Sequence, residues 1–199
     1  MDAYMDMLKQ WNKRINLVQK ETIGNMLARH ILDSKRVGDL LEMKNMKGNK
    51  IIDIGSGAGF PGMVLAISGF ENVTLCEKNI KKVAFLRTVR EKLHINVNIF
   101  CEDVYKITES GYISVSRAFG SLSKLLDVML AIGSSSGFFH KGKNYKKEIE
   151  EARKNYNFEY GFNEMASGEG GIVFVQNISR RVAEPLSKPL YNKISKEKI

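Results

Sequence analysis

Apolar residues Tyr4, Leu8, Trp11 and Ile15 recur every three or four positions, a spacing that lays one stripe along a helix and places Trp11 in a core. Met26, Leu27, Ile31, Leu40 and Leu41 continue that period in a second helix, which starts near Thr22 or Asn25 and ends in the polar stretch 44–50. Beyond it the pattern changes. Short apolar runs alternate with helical segments, as in βαβ units of a mainly parallel sheet. Strands are predicted at 51–54, 73–77, 97–100, 113–116, 137–140, 158–162 and 172–177, with helices at 62–68, 80–93, 122–132 and 145–156. No helical pattern separates the last two strands, and the Gly- and Ser-rich segment 166–171 reads as the turn of an antiparallel hairpin. The fold class is therefore α/β: a mainly parallel seven-stranded sheet with a terminal antiparallel hairpin, preceded by an N-terminal helical extension.

The length of 199 residues fits one domain with appended elements: a helical extension over 1–45, a core over 50–178 and a basic tail over 180–199. Hydrophobic residues at 43% and charged residues at 27% exclude a disordered chain or a coiled-coil rod. No run approaches the roughly 18 apolar residues of a membrane span, so a cytoplasmic protein without a membrane partner is expected. Cys76 and Cys101 are too few for a disulfide framework and lack metal-site spacing; both read as buried core thiols, and no metal is expected. The 31 basic and 22 acidic residues leave a net charge of +9, which suits a polyanionic partner.

The strongest chemical signal is the strand Ile51-Ile52-Asp53-Ile54 running into Gly55-Ser56-Gly57-Ala58-Gly59-Phe60-Pro61-Gly62. Glycine permits positive φ and close approach of a ligand, and the following helix offers N–H groups to an acidic ligand group. This reads as a cofactor turn, with a purely structural turn as the alternative. Gly57, Gly59 and Gly62 also satisfy a dinucleotide pattern, but the glycines begin directly off the strand at Gly55 and Asp53 precedes them by two positions. That phase favours S-adenosylmethionine over NAD. Glu77 stands 22 residues after Gly55, where a carboxylate accepts hydrogen bonds from ribose hydroxyls of either cofactor. Val104 and Tyr105, after the third strand, fall beside an adenine or in a plain surface loop. Arg117, after the fourth, is placed to hold a cofactor carboxylate, an RNA phosphate or a salt bridge.

Lys141, Lys143, Lys146 and Lys147 cluster at the exit of the fifth strand, as a solvated helix start or as RNA phosphate contacts. Arg180 and Arg181 begin the basic tail. His30, His94 and His140 read as structural. The chain lacks both the Asn/Asp-Pro-Pro-aromatic motif of enzymes that methylate exocyclic amines and a Pro-Cys nucleophile. An acceptor that is already nucleophilic, such as guanine N7, fits what remains. It needs alignment and no general base, so no catalytic residue beyond positioning groups is expected. Phe119 and Tyr145 are candidates to stack on the base.

Four segments in order, Trp11-Asn12-Lys13-Arg14-Ile15-Asn16-Leu17, Arg29-His30-Ile31-Leu32-Asp33-Ser34, 53–62 and Ser116-Arg117-Ala118-Phe119, resemble the RsmG (GidB) family. Its members form 7-methylguanosine in 16S ribosomal RNA. The resemblance implies a Rossmann-like class I methyltransferase fold using S-adenosylmethionine, with 16S rRNA or the small ribosomal subunit as partner. It implies cofactor contacts at Gly55 and Phe60, at Val104 and Tyr105, and at Arg117, while Gly57, Gly59 and Glu77 are assigned from their place on the strand edge. RNA contacts are expected at Lys141, Lys143, Lys146, Arg180 and Arg181. His30, Asp33 and Ser34 fall in a family segment without a chemistry assigned to them. The alternatives are a non-catalytic RNA-binding assembly factor and an NAD-dependent oxidoreductase; a monomer is the default.

Overall fold

The computed structural model describes residues 1–18, 25–165, 168 and 170–181. Strands β1 (Ile51–Ile54), β2 (Val73–Cys76), β3 (Asn98–Phe100), β4 (Ile113–Arg117), β5 (Ser136–Gly142), β6 (Tyr156–Glu164) and β7 (Gly170–Arg180) form one sheet in the order β3-β2-β1-β4-β5-β7-β6. The first five run parallel, and β7 pairs antiparallel with both β5 and β6. From β1 the chain steps outward to β2 and β3, then returns to β1's other side as β4. The order reverses between β1 and β4, opening a crevice at their carboxyl ends where open α/β sheets bind ligands.

Among the described residues six α-helices cover the sheet: α1 (Asp2–Asn12), α2 (Asn25–Met43), α3 (Gly62–Ile67), α4 (Ile80–Lys92), α5 (Leu122–Ala131) and α6 (Tyr145–Ala152). All four residues of β1 are buried, as a central parallel strand between two helical layers requires. Alternation splits its side chains. Ile51 packs with Tyr4, Leu8, Ile31, Leu41 and Phe85 on one face, while Ile52 and Ile54 pack with Leu125, Leu126 and Met129 on the other. The N-terminal extension is thus part of a main core.

The predicted architecture is present, with shifted boundaries. Helix α1 stops at Asn12 instead of running through Ile15, because the Asn12 side-chain oxygen accepts the N–H groups of Leu17 and Val18 at 2.8 and 2.9 Å and folds the chain back. Trp11 is half-buried against Phe85 at 5.7 Å between ring centroids, not enclosed in the core. Helix α6 ends at Ala152, and Tyr156, read as its end, opens β6. Arg180 ends β7 and does not begin a tail. Of the expected hairpin turn, Ala166, Ser167 and Glu169 lie outside the described residues, as do the tail beyond Arg181 and Thr22. Cys76 is buried as expected, whereas Cys101 is only half-buried because it follows the edge strand β3. Among the described residues no helix is long and apolar enough to cross a membrane.

Candidate functional site

The turn after β1 is held by its neighbours on the sheet. Gly55 and Ser56 donate their N–H groups to the Cys76 carbonyl at 2.9 and 3.0 Å, and the Ser116 hydroxyl donates to the Ile54 carbonyl at 2.7 Å. Gly55, Gly57 and Gly59 have φ of +70, +58 and +98°, which other residues adopt at a cost. Their roles then diverge. A Cβ on Gly55 would lie 2.5 Å from the Phe119 ring, so this glycine lets Phe119 close over the turn. Gly59 faces the core: a Cβ there would lie 2.7 Å from Met63 Cβ and 3.0 Å from the Tyr4 hydroxyl, so its expected cofactor contact gives way to a packing role.

The N–H groups expected to await a ligand at the start of α3 are also taken. Gly62 donates to Asp53 Oδ2 at 3.0 Å, and Met63 donates to the Gly59 carbonyl at 2.9 Å. Asp53 is completely buried, and burial pushes its carboxyl up to about 7. Its function is to bind the helix to the strand. With those two donors occupied and α3 only six residues long, the turn presents a diphosphate with a depleted set of N–H groups, which favours a ligand without one.

Two clefts meet at this turn, sharing Gly55 and Ala118. One, of about 330 Å³, is lined by Glu77, Val104, Tyr105 and Phe119, among others. The other, of about 430 Å³, is lined by Gly57, Phe60, His30, Lys82 and Arg117, among others. Glu77 is buried directly after β2, accepting from Asn79 N at 2.8 Å and Gly57 N at 2.9 Å. Each carboxylate oxygen keeps a second lone pair, so the group can still accept ribose hydroxyls. Val104 is buried in a short 3-10 turn (Val104–Lys106) fixed by Asp103, whose carboxylate accepts the Tyr105 N–H and is held below its usual range by that bond. Tyr105 is exposed at the rim. An acidic acceptor and an apolar wall in one cleft, continuous with a second cleft bearing an arginine, fit a nucleoside joined to an amino-acid tail. S-Adenosylmethionine has that chemistry.

Arg117 is engaged as well: its Nη1 donates to Asp33 Oδ2 at 3.0 Å, the salt bridge left open by the sequence. Burial lowers both His30 and His140 to about 4, with Arg117 the next cause in each, so both are neutral at pH 7. The Cys76 thiol, pushed up to about 12 by burial, stays protonated and non-nucleophilic.

The expected RNA contacts do not converge. Lys141 is buried, donating to the Gly120 carbonyl at 2.7 Å and Glu148 at 2.8 Å, so it ties β5 to α6 and is not presented to a phosphate. Arg180 pairs with Asp127 at 2.6 Å, and Arg181 donates to Asn157 at 3.1 Å. Because Ser136, the first residue of β5, is paired with Gln176, both arginines lie at the amino-terminal edge of the parallel strands, opposite the clefts. Lys143, Lys146 and Lys147 are exposed at the start of α6. Tyr145 already stacks on Phe162 at 3.8 Å, which covers one ring face; Phe119 lines the cleft with Lys124 Nζ 4.8 Å from its centroid. Lys78, Lys82 and Lys124 on the cleft walls were missed by the sequence reading. Asn79 gave the available signal, since as the cap of α4 it sets Lys81 and Lys82 in the first turn beside Glu77.

Residues 1–171 match the family described as rRNA small subunit methyltransferase G, GidB. The chain belongs to this family. It is 35% identical over 182 residues to the ribosomal RNA small subunit methyltransferase G of Rickettsia felis, covering 90% of this chain and 93% of that one. The corresponding protein of Rickettsia rickettsii (strain Sheila Smith) is 35% identical over 184 residues, 92% of this chain and 95% of its own. Among solved structures, magnesium protoporphyrin IX methyltransferase from Synechocystis PCC 6803 with bound S-adenosylmethionine aligns with a TM-score of 0.59 at 13% identity, covering 86% of this chain and 89% of that chain. The 16S rRNA methylase RmtB aligns at 0.58 and 12% identity over 88% and 73%. These likenesses establish that this chain has the class I methyltransferase fold.

Proposed function

We propose that the protein transfers a methyl group from S-adenosylmethionine to N7 of a guanine in 16S ribosomal RNA. The observation that carries this reading is the pair of clefts joined at Gly55, with Glu77 in one and Arg117 in the other, in a chain of the GidB family. When bound, S-adenosylmethionine supplies a methyl group activated on a sulfonium. Guanine N7 has a lone pair and no proton, so no side chain has to act as a base. This agrees with a site where Asp53 is sealed inside and His30 and His140, lowered to about 4, are weak proton acceptors.

The chain's contribution is alignment. Glu77 accepts the ribose hydroxyls, Val104 and Tyr105 flank the adenine, and the Arg117 donors not used by Asp33 grip the cofactor carboxylate. Gly57 leaves room for the ligand against the backbone, and Gly55 lets Phe119 close over the turn. Phe119 stacks on a guanine displaced from its helix. Lys78, Lys82, Lys124, Lys143 and Lys146 supply phosphate contacts around the opening. The protein acts in the cytoplasm as a monomer without a metal, as one domain made of extension, core and tail.

The test is transfer of labelled methyl to small ribosomal subunits lacking the modification, with naked 16S rRNA alongside, followed by mapping of the modified base. Label on the N7 of one guanine is the expected result. Absence of label on either substrate, from protein that binds the cofactor, would transfer the reading to the assembly factor.

A further inference from the structure

In the segment Arg29-His30-Ile31-Leu32-Asp33-Ser34 the fold brings Asp33 to the site as well as His30. Asp33 lies on α2 and is fastened to two adjacent strands. Its Oδ2 accepts from Arg117 Nη1 at 3.0 Å, and its backbone carbonyl takes a hydrogen bond from His140 Nε2 at 3.1 Å. Arg117 and His140 are register partners near the carboxyl ends of β4 and β5. A residue of the N-terminal extension is therefore pinned across the sheet edge to a strand 84 positions away.

Arg117 needs such a support. It is the last residue of β4, followed by Ala118 at φ +58°, where the backbone turns away and the long side chain emerges beside the second cleft. The ion pair is largely withdrawn from water, with side-chain exposures of 22% for Arg117 and 13% for Asp33, so screening is weak and geometry is retained. A guanidinium is a planar fork: fixing one of its nitrogens fixes the directions of the others. The carboxylate also offsets a positive charge that would otherwise oppose a sulfonium in the same cleft. Docking of α2 does not depend on the pair, since Ile31, Val37 and Leu41 already bury it in the core.

We propose that Asp33 is a positioning residue for the methyl transfer, holding the Arg117 guanidinium in the plane from which it grips the amino-acid end of S-adenosylmethionine. The N-terminal extension thereby completes the cofactor site. This rests on the proposed use of S-adenosylmethionine and goes beyond it in naming what orients the arginine.

The experiment is a double-mutant cycle with Asp33→Asn, Arg117→Ala and the double variant. It reads calorimetric affinity for S-adenosylhomocysteine, KM and kcat with undermethylated small subunits, and thermal unfolding. The expected result for Asp33→Asn is an affinity lowered tenfold or more, KM for the methyl donor raised in parallel, kcat within about threefold and a melting temperature near wild type. The double variant should bind no more weakly than Arg117→Ala alone. Unchanged affinity in Asp33→Asn, or losses that add in the double variant, would overturn the proposal. If the amide variant does not fold, Asp33→Ser takes its place in the cycle with the same outcomes. Wild-type protein that binds S-adenosylhomocysteine but methylates no RNA would end the RNA reading and leave the Asp33 test standing; wild-type protein that does not bind it would end both.

Discussion

Asp53 gives the sharpest test of how the turn is built. It is completely buried on β1, one carboxylate oxygen accepting the Gly62 N–H at 3.0 Å and the other without a partner. Burial raises its carboxyl to about 7, against the lowering effect of the hydrogen bond from Gly62. In the unfolded chain it titrates near about 3.9. Between these values the folded protein holds a proton that the unfolded chain has released. Its contribution to stability is thus full below about pH 4 and is lost as pH rises through about 7. Three pKa units at roughly 1.4 kcal/mol each give a loss of about 4 kcal/mol. His30 and His140 act in the opposite sense: burial lowers both to about 4, so unfolding takes up protons below the ordinary histidine range and their penalty disappears as pH rises. The wild-type profile sums opposing slopes, and Asp53→Asn isolates one of them, since the amide keeps an acceptor for Gly62 and does not titrate. Urea unfolding of both proteins from about pH 4 to about pH 8 should show the variant gaining roughly 3–4 kcal/mol relative to wild type. Parallel profiles would refute the argument that a buried carboxyl is forced to ionise in this window.

The remaining predictions concern packing and the site. A Cβ at Gly62 would lie 2.5 Å from Leu75 Cδ2 and 2.7 Å from Asp53 Cβ, so Gly62→Ala should cost about 1–3 kcal/mol in denaturant unfolding; an unchanged midpoint would contradict the close fit of α3 on β1 and β2. Gly55→Ala forces a left-handed φ on alanine and places its Cβ 2.5 Å from Phe119, and calorimetry should show S-adenosylhomocysteine affinity reduced at least a hundredfold. Lys141→Ala leaves Glu148 without its lysine and should lower stability by about 1–2 kcal/mol, while the salt dependence of methylation stays as in wild type; a flatter dependence would return Lys141 to the RNA surface. Phe119→Ala should lower turnover with little change in cofactor affinity, and undiminished turnover would remove Phe119 as the stacking group.

Much of the site was legible because local geometry dictates it. Positive φ in a strand-to-helix turn requires glycine, and a carboxylate at the end of the second strand reaches the same edge in any fold of this topology, so Gly55, Gly57 and Glu77 could be found from spacing. Gly59 looked the same in sequence, but its neighbours are Met63 and Tyr4, and nothing in the pattern says that α1 packs there. Lysine and arginine were the least legible. Lys141 and Lys143 are two positions apart in one basic cluster, yet the first is buried on Glu148 and the second is exposed. Arg180 and Arg181 read as a free basic tail until the long β7 carried them to the opposite edge of the sheet.

The sequence by itself determined the order of elements, the mainly parallel sheet with its closing hairpin, the cofactor turn and the family, because each depends on periodicity or on a local backbone requirement. The tertiary structure alone decided which charges are spent inside the fold and which remain for a ligand. Asp33 and Arg117, far apart in the chain, become one ion pair at the carboxyl edge of β4, and Asp53 closes a helix onto a strand. A side chain's charge is written in the sequence, but its partner and its burial, which fix what that charge can do, exist only once distant segments meet.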